Sequence, residues 1–247
     1  GIVPWFELWQ MPAYSASFGA QLFKSDELQY TIDDPGNVAL LEYWVSWLDE
    51  QYKGNVDYLS SLGGWYAGPD SLWIDKRVPM GYGGSWTVSY EQMKYEKIFK
   101  WDVGKMTAGP NGKGMTAFWP NWFTLPVGGK HRQQGFLLCE YMCTTGMPIW
   151  YKVVNDTPAW LDFPREVITQ NLIDNVGADK AKDIHNFFID YLEEAVEMWT
   201  SPIEDFGTDQ INRAVDRVLH KAQPAKDALA EAQKVSQAKL EETMKAL

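Results

Sequence analysis

The clearest pattern in the chain is an apolar stripe that begins just after a proline. Asp34 is a residue type that caps helix N-termini, and Pro35 suits the first helical position, where an N–H has no helical partner. The apolar positions that follow are three or four residues apart, as on one face of a helix. They are Val38, Leu41, Val45, Leu48 and Tyr52. The spacing predicts a helix that ends at Gly54 and packs on the core through this stripe.

Further helices are predicted in the second half of the chain. The stretch 131–143 has helical spacing and is followed by Gly146, a residue type common just past helix ends. A strong amphipathic pattern covers 178–199, and two more helices are predicted at 209–222 and 224–244. The inward positions of the 178–199 helix are Ala181, Ile184, Phe188, Tyr191, Ala195 and Trp199.

Short apolar runs bounded by glycine and proline predict strands between these helices. Three such runs are 77–82, 99–103 and 116–127, and the turn residues of 107–114 predict a loop. The run Gly83-Gly84-Ser85-Trp86 ends the first strand. Because strands and helices are interspersed along the chain, the predicted fold class is α/β.

Composition narrows the classes of function. The 247 residues include 22 Lys plus Arg against 33 Asp plus Glu, a net charge of -11. This acidic balance argues against a nucleic acid partner, because phosphate binding needs clustered basic side chains. No apolar run is long enough for a membrane-spanning helix. The unusual count is 13 tryptophans.

The cysteines and histidines argue against a metal site. Cys139 and Cys143 are four residues apart in the predicted 131–143 helix, where their Cβ atoms point the same way and bridge poorly. We interpret them as buried small hydrophobic side chains. A zinc site would need more ligands, but only His131 is near in sequence, while His185 and His220 are remote. We expect no metal and no cofactor.

Catalytic patterns are also weak. The adjacent acids at 33–34, 193–194 and 241–242 fall at a helix cap or on helical faces, where neighbouring side chains diverge. They are therefore predicted to be solvated charges rather than an acid–base pair. The stretch 109–114 has glycines and a lysine without the spacing of a phosphate-binding loop, and no nucleophile elbow is present. We expect a protein that is not an enzyme.

The tryptophans divide into two groups by position. Those on predicted helical stripes or in short helices are predicted to fill the core: Trp44, Trp47, Trp73 and Trp199. Others lie where the chain turns: Trp5 and Trp9 follow Pro4, Trp86 follows Gly-Gly-Ser, and Trp119 and Trp122 flank Pro120-Asn121. Rings on loops commonly line ligand pockets.

A flat ring beside polar groups suits a sugar, because a sugar has an apolar C–H face and a rim of hydroxyl groups. The polar partners near the turn tryptophans or on a late helix are Glu7, Gln10, Ser85, Asn121 and Asp209. This observation favours carbohydrate binding.

Four segments, in the same order, resemble one family. They are FKSDELQYTIDDPGNVALLEYWVSWLDEQYKG at 23–54, DKRVPMGYGGSW at 75–86, FKWDVGKMTAGPNGKG at 99–114 with TLPVGGKHRQQGFLLCEYMCTTGMP at 124–148, and INRAVDRVLHKAQPAKDALAEAQKVSQAKLEET at 211–243. The last is similar to the closing helix pair of the family, where the pattern eeALxeAqxxxqxxLde is usual. The family is the extracellular solute-binding proteins of carbohydrate ABC transporters, of the maltose-binding-protein type.

The resemblance implies a two-lobed α/β fold of the periplasmic-binding-protein type II. It implies that the chain corresponds to the C-terminal three-fifths of such a fold and lacks its N-terminal part. Residues 1–104 would belong to lobe 2, 105–148 would return to lobe 1, and 149–247 would complete lobe 2 with the closing helices. The stretch 115–125 is bulkier than its family counterpart, and the cysteine pair is unusual for the family.

The resemblance also implies a mechanism and partners. Sugar would bind between the lobes and shift the population toward a closed form, which docks on ABC permease subunits. The protein would be a monomer outside the cytoplasm, periplasmic or a cell-surface lipoprotein, and would break no bond in its ligand. The implied ligand-binding residues are Trp5, Trp9, Trp86, Trp119, Asn121 and Asp209. The alternatives are a carbohydrate-active enzyme or lectin-like module, and a non-sugar binder on the same scaffold.

Overall fold

A computed structural model of the chain describes residues 11–61, 84–89, 100–110, 116–118, 123–157, 164–197 and 199–246. Helices and short strands are interspersed along these residues. The elements are α1 (Met11–Ser17), β1 (Phe23–Lys24), β2 (Gln29–Tyr30), α2 (Pro35–Tyr52), α3 (Val56–Ser61), a 3₁₀ helix (Ser85–Ser89), β3 (Thr116–Phe118), α4 (Arg132–Cys143), α5 (Met147–Tyr151), α6 (Gln170–Val176), α7 (Ala178–Tyr191), β4 (Ala195–Glu197), α8 (Glu204–Leu219) and α9 (Ala225–Ala246).

The chain divides into two compact units, and each is built from separated segments. The described residues of the first unit lie within Gly63–Gly104 and Trp119–Glu193. Those of the second unit lie within Phe6–Leu62, Lys105–Phe118 and Glu194–Leu247. Of the predicted lobe limits, only the one between residues 104 and 105 coincides with a limit of these units. The assignment of 1–104, 105–148 and 149–247 to lobes stays a prediction.

Helix α2 begins where the sequence predicts. The Asp34 Oδ1 atom accepts a hydrogen bond from the Gly36 backbone N at 2.8 Å, and Pro35 occupies the first helical turn. The helix ends at Tyr52, and the next residue, Lys53, turns the chain with a left-handed φ of 54°. The side chains buried along α2 are Asn37, Leu40, Leu41, Trp44 and Leu48.

The predicted stripe on α2 is therefore partly wrong. Val38, Val45 and Tyr52 are only half-buried, and the buried face is centred on Leu41, Trp44 and Leu48. The large indole of Trp44 is 1% exposed, which confirms it as a core residue. Its ring meets Tyr14 of α1 edge-on at 5.4 Å between ring centroids. Packing against α1 and the other helices decides which side of the stripe faces inward, and that information is not local.

Two glutamines of α9 bind backbone groups of Tyr30, which lies in β2, and of Ile32. Gln233 Nε2 donates to the Tyr30 backbone O at 2.6 Å, and Gln233 Oε1 accepts from the Ile32 backbone N at 2.8 Å. Gln237 Oε1 accepts from the Tyr30 backbone N at 3.0 Å. Tyr30 and Ile32 are both 0% exposed, so water cannot satisfy these groups. The glutamines take the place of a neighbouring strand.

Helices α2, α8 and α9 form the core of the second unit. The buried side chains of α8 are Gly207, Ile211, Ala214, Val215, Val218 and Leu219. The buried side chains of α9 include Ala228, Leu229, Ala232 and Leu240. Small buried residues lie among larger ones on both helices, Gly207 and Ala214 on α8 and the alanines on α9, which lets the backbones approach closely. The predicted helix at 209–222 begins earlier, at Glu204, where two acidic residues suit the positive end of the helix dipole.

The predicted 178–199 helix is too long. Helix α7 ends at Tyr191, and the chain passes through a short 3₁₀ turn into β4, where Ala195 lies. Strand β4 pairs in parallel with β3, with Ala195 opposite Thr116. Trp199 lies beyond β4 and packs edge-on against Tyr30, with ring centroids 5.7 Å apart. Pairing with a distant strand overrides the local helical pattern here.

The described residues of the first unit contain a separate buried cluster. Val88 of the 3₁₀ helix, Leu172 of α6, and Ala181 and Ile184 of α7 are all buried together. The half-buried hydrophobic side chains packed against this cluster are Trp101, Val103, Ile168, Ile173, Val176 and Phe188. Residues 100–103 contribute to the core without forming the predicted strand. The predicted strand at 77–82 lies outside the described residues.

Other local predictions are corrected in the same way. Only Thr116–Phe118 of the predicted 116–127 strand is a strand, and residues 123–127 have no regular structure. Trp47 is half-buried and packs on Tyr52, with ring centroids 5.2 Å apart, so its placement in the core is only partly correct. Trp73 lies outside the described residues.

Helix α4 has the predicted bounds but no buried residue. Cys139 is half-buried and Cys143 is exposed, so their interpretation as buried hydrophobic residues is wrong. Large apolar side chains of α4 and α5 are each about half exposed or more. We call them the α4–α5 apolar face: Phe136, Leu137, Leu138, Tyr141, Ile149 and Trp150.

The Gln233→Ala substitution is expected to destabilise the fold. It removes both hydrogen bonds of Gln233 and leaves two buried backbone groups without partners, at a cost of about 1–3 kcal/mol each. We expect the free energy of unfolding in urea to fall by roughly 2–4 kcal/mol. Lys234→Ala, at an exposed position on the same helix, is the matched control. Equal stability of the two variants would show that the glutamine does not hold β2.

Candidate ligand-binding site

The structure describes two of the six predicted site residues. Trp86 lies in the 3₁₀ helix of the first unit, and Asp209 lies in α8 of the second. Trp5, Trp9, Trp119 and Asn121 lie outside the described residues. The geometry of the candidate site is therefore the geometry around Trp86 and, separately, around Asp209.

Trp86 is held at the start of a short, well-anchored turn. Trp86 is half-buried, so part of the residue remains accessible to solvent. The Thr87 backbone N donates to the Gly84 backbone O at 3.0 Å and closes the turn around it. Val88, two residues later, is 5% exposed and belongs to the core of the first unit. A partly accessible tryptophan on a fixed turn is an arrangement suited to stacking on an apolar ligand face.

Polar side chains from a distant segment bind the backbone and side chain next to Trp86. Asn155 Nδ2 donates to the Ser85 backbone O at 3.0 Å. Ser85 Oγ donates to the Asp156 carboxylate at 3.4 Å. Neither Asn155 nor Asp156 was singled out from the sequence, because an Asn-Asp pair in an irregular stretch is typical of any turn. These residues lie about 70 positions from Ser85 in the chain.

His185 extends this hydrogen-bonded chain into the core. The Asn155 amide turns its nitrogen to the Ser85 carbonyl, so its Oδ1 faces His185 Nδ1 at 3.4 Å. Because Oδ1 can only accept, the neutral imidazole carries its proton on Nδ1. A hydrogen bond between the imidazole and the Arg165 backbone favours the charged form, but its effect on the pKa is smaller than that of burial.

Burial shifts the titration of the groups around Trp86 toward their neutral forms. Burial lowers the pKa of His185, which keeps the imidazole uncharged. Burial raises the pKa of the Asp156 carboxyl, while hydrogen bonds from the Ser85 hydroxyl and the Thr157 backbone partly oppose the change. Burial, followed by the charge of Asp156, raises the pKa of Tyr151 to about 12. The groups next to Trp86 are thus polar side chains with oxygen and nitrogen atoms, namely Ser85, Asn155 and Asp156, of the kind that suits a hydroxylated ligand.

Asp209 is engaged within its own helix. Its Oδ2 atom accepts from Arg213 Nε at 2.9 Å and from Gln210 Nε2 at 3.1 Å. The Arg213 contact is an exposed ion pair between residues four apart, a common surface interaction. The role of Asp209 as a hydroxyl acceptor stays a prediction.

The described residues form neither a metal site nor a membrane-spanning helix. No group of three or more His, Cys, Asp or Glu side chains among them is arranged to hold a metal ion. Within the same residues, every helix is too short or too polar to cross a membrane.

Comparison with known proteins identifies the fold. No protein-family model and no curated protein sequence matches the chain. Among solved structures, the chain is similar to CpMnBP1 with mannotriose bound, with a TM-score of 0.69 at 15% identity over 95% of this chain and 58% of that one. The chain has the solute-binding-protein fold.

Two further solved structures support the same conclusion. The ABC substrate-binding protein Lmo0181 from Listeria monocytogenes, in complex with cycloalternan, matches with a TM-score of 0.65 at 19% identity, over 95% of this chain and 57% of that one. Maltose-bound MalE3 from T. maritima matches with a TM-score of 0.57 at 17% identity, over 90% and 55%. The chain thus spans a little over half the length of these structures.

The solute-binding-protein fold confirms two predictions from the sequence. The resemblance to sugar-binding ABC solute-binding proteins is confirmed at the level of the fold, and so is the type II α/β fold class. The sequence identities are only 15 to 19%. At such low identity a single similar segment is weak evidence of a family, whereas four segments in the same order are stronger evidence.

The pH dependence of stability is expected to report the burial of His185. Its folded pKa is lowered, so its contribution to stability is complete above the unfolded pKa of about 6.5 and is lost as the pH falls through the folded pKa. Between pH 7.5 and pH 5, the Tm should therefore fall further in the wild type than in His185→Gln. Thermal unfolding at both pH values measures this difference.

The control for this experiment is His131→Gln, which replaces an exposed histidine of the same unit. This variant shows how much replacement of an exposed histidine by glutamine changes the pH dependence of the Tm. Because each variant is compared with the wild type, the other titrating groups cancel. An unchanged pH dependence in His185→Gln would contradict the account of a buried, neutral imidazole.

Proposed function

We propose that the chain belongs to a protein that captures a sugar or oligosaccharide and delivers it to an ABC importer. The observation that carries this proposal is the fold shared with structures that hold mannotriose, cycloalternan and maltose. Capture needs no change in the covalent structure of the ligand. The protein is therefore proposed to be a binding protein and not an enzyme.

The surroundings of Trp86 support a sugar as the ligand. The half-buried tryptophan offers an apolar surface for the C–H face of a sugar ring. Ser85 and Asp156, beside it, offer oxygen atoms of the kind that hydroxyl groups bind. Trp5, Trp9, Trp119, Asn121 and Asp209 are proposed as the remaining contacts. These residues and the predicted lobe limits are part of the same proposal.

The proposed mechanism is closure of two lobes around the ligand. A sugar that contacts both lobes only in the closed form binds that form more tightly and so raises its population. The closed form is proposed to dock on the permease subunits as a monomer. A site of action outside the cytoplasm, in the periplasm or on the cell surface as a lipoprotein, follows from such a role.

Substitution of the proposed stacking residue tests the function. Trp86→Ala should weaken sugar binding at least about tenfold, or about 1.4 kcal/mol, because the ring supplies the apolar contact with the sugar. Calorimetric titration with mannotriose, maltose and cycloalternan measures the change. Trp150→Ala is the matched control, since Trp150 is an exposed tryptophan of the same unit.

The outcomes separate the possible functions. No heat of binding with any of the three sugars, or equal affinity for Trp86→Ala and the wild type, would contradict the proposal. Incubation with labelled oligosaccharides checks for chemistry, because a carbohydrate-active enzyme would release products and a transport protein would return the ligand unchanged.

A further inference from the structure

Gly84 is in direct contact with the indole of Trp86. A Cβ atom at position 84 would lie 2.2 Å from Cζ3, 2.3 Å from Cη2 and 2.5 Å from Cε3 of the ring. Carbon atoms in favourable contact stay about 3.5–4 Å apart. The six-membered part of the indole therefore occupies space that every other residue type at position 84 would need for its side chain.

The backbone around Trp86 cannot easily move to make room. Asn155 Nδ2 binds the Ser85 carbonyl at 3.0 Å, and Asn175 Nδ2 binds the Val88 carbonyl at 3.4 Å. Asn155 and Val88 are 2% and 5% exposed. The turn is thus held from two distant segments, at residues on both sides of Trp86. A side chain at position 84 would displace the ring rather than the backbone.

We infer that Gly84 is a positioning residue for ligand binding, which acts by letting the Trp86 indole lie against the backbone at position 84. The inference rests on the proposed function, because it assigns to Gly84 the placement of the proposed stacking ring. A methyl group at position 84 moves the ring by about 1.3 to 1.8 Å if the nearest atoms, 2.2 Å apart, are to reach ordinary contact distance. A stacking surface displaced by that distance no longer meets the sugar face in register.

A double-mutant cycle tests whether Gly84 acts through the ring. Gly84→Ala should weaken binding of the sugar preferred by the wild type at least about fivefold. The same substitution in the Trp86→Ala background should change the affinity less than about twofold, because the ring that it displaces is no longer there. Equal losses in both backgrounds would overturn the inference, since an effect on the backbone alone would persist without the indole.

Fluorine NMR gives a readout that does not depend on sugar. In protein labelled with 5-fluorotryptophan, the resonance that disappears in Trp86→Phe belongs to Trp86. This resonance should shift in Gly84→Ala and keep its position in Gly104→Ala. Gly104 is the matched control, because a Cβ atom there would meet nothing within 4 Å. An unchanged Trp86 resonance in Gly84→Ala would overturn the inference.

The experiment remains decisive if a variant folds poorly or if no sugar binds. Should Gly84→Ala fail to fold, the double variant Gly84→Ala with Trp86→Ala should fold with a Tm close to that of Trp86→Ala, because the clash is gone. Failure of both would contradict the inference. Absence of sugar binding by the wild type would instead contradict the proposed function, and the NMR result would still decide the placement of the ring.

Discussion

The second unit depends on a strand that has no strand neighbour on one side. The backbone of β2 is buried against α9, and buried peptide groups must find hydrogen-bond partners within the protein. Gln233 and Gln237 supply them, one helical turn apart, so that α9 can lie against β2 in only one register. The position of α9 in turn fixes the surface on which α8 and α2 pack, and the Tyr30 side chain contacts Ser201 and Trp199, which lie just before α8.

Local signals were sufficient where an element is decided by its own residues. The start of α2 follows from Asp34 and Pro35, and the bounds of α4 and α9 follow from spacing and end residues. Local signals failed where a distant partner decides the outcome. Residues 192–197 carry a helical pattern, yet they leave the helix because β3, almost 80 positions earlier in the chain, offers a strand to pair with.

Local sequence likewise indicates some residues of the candidate site, while contacts with distant residues reveal the others. Trp86 could be selected from the sequence, because a tryptophan after a glycine-rich turn is a recognisable pattern and the family resemblance reinforced it. Asn155 and His185 could not be selected, since their importance comes only from their contact with Ser85 and with each other. The significance of Gly84 was equally hidden, because a glycine before a turn is common, and only the distance to the indole distinguishes it.

The α4–α5 apolar face has a consequence for handling the chain in solution. Apolar surfaces associate more strongly in sulfate and phosphate, while any added salt screens the repulsion between molecules that each carry a net charge of -11. Both effects act in the same direction, so the chain disperses best at low ionic strength. Stacking on a neutral sugar depends little on salt, and titrations in dilute buffer therefore separate ligand binding from self-association.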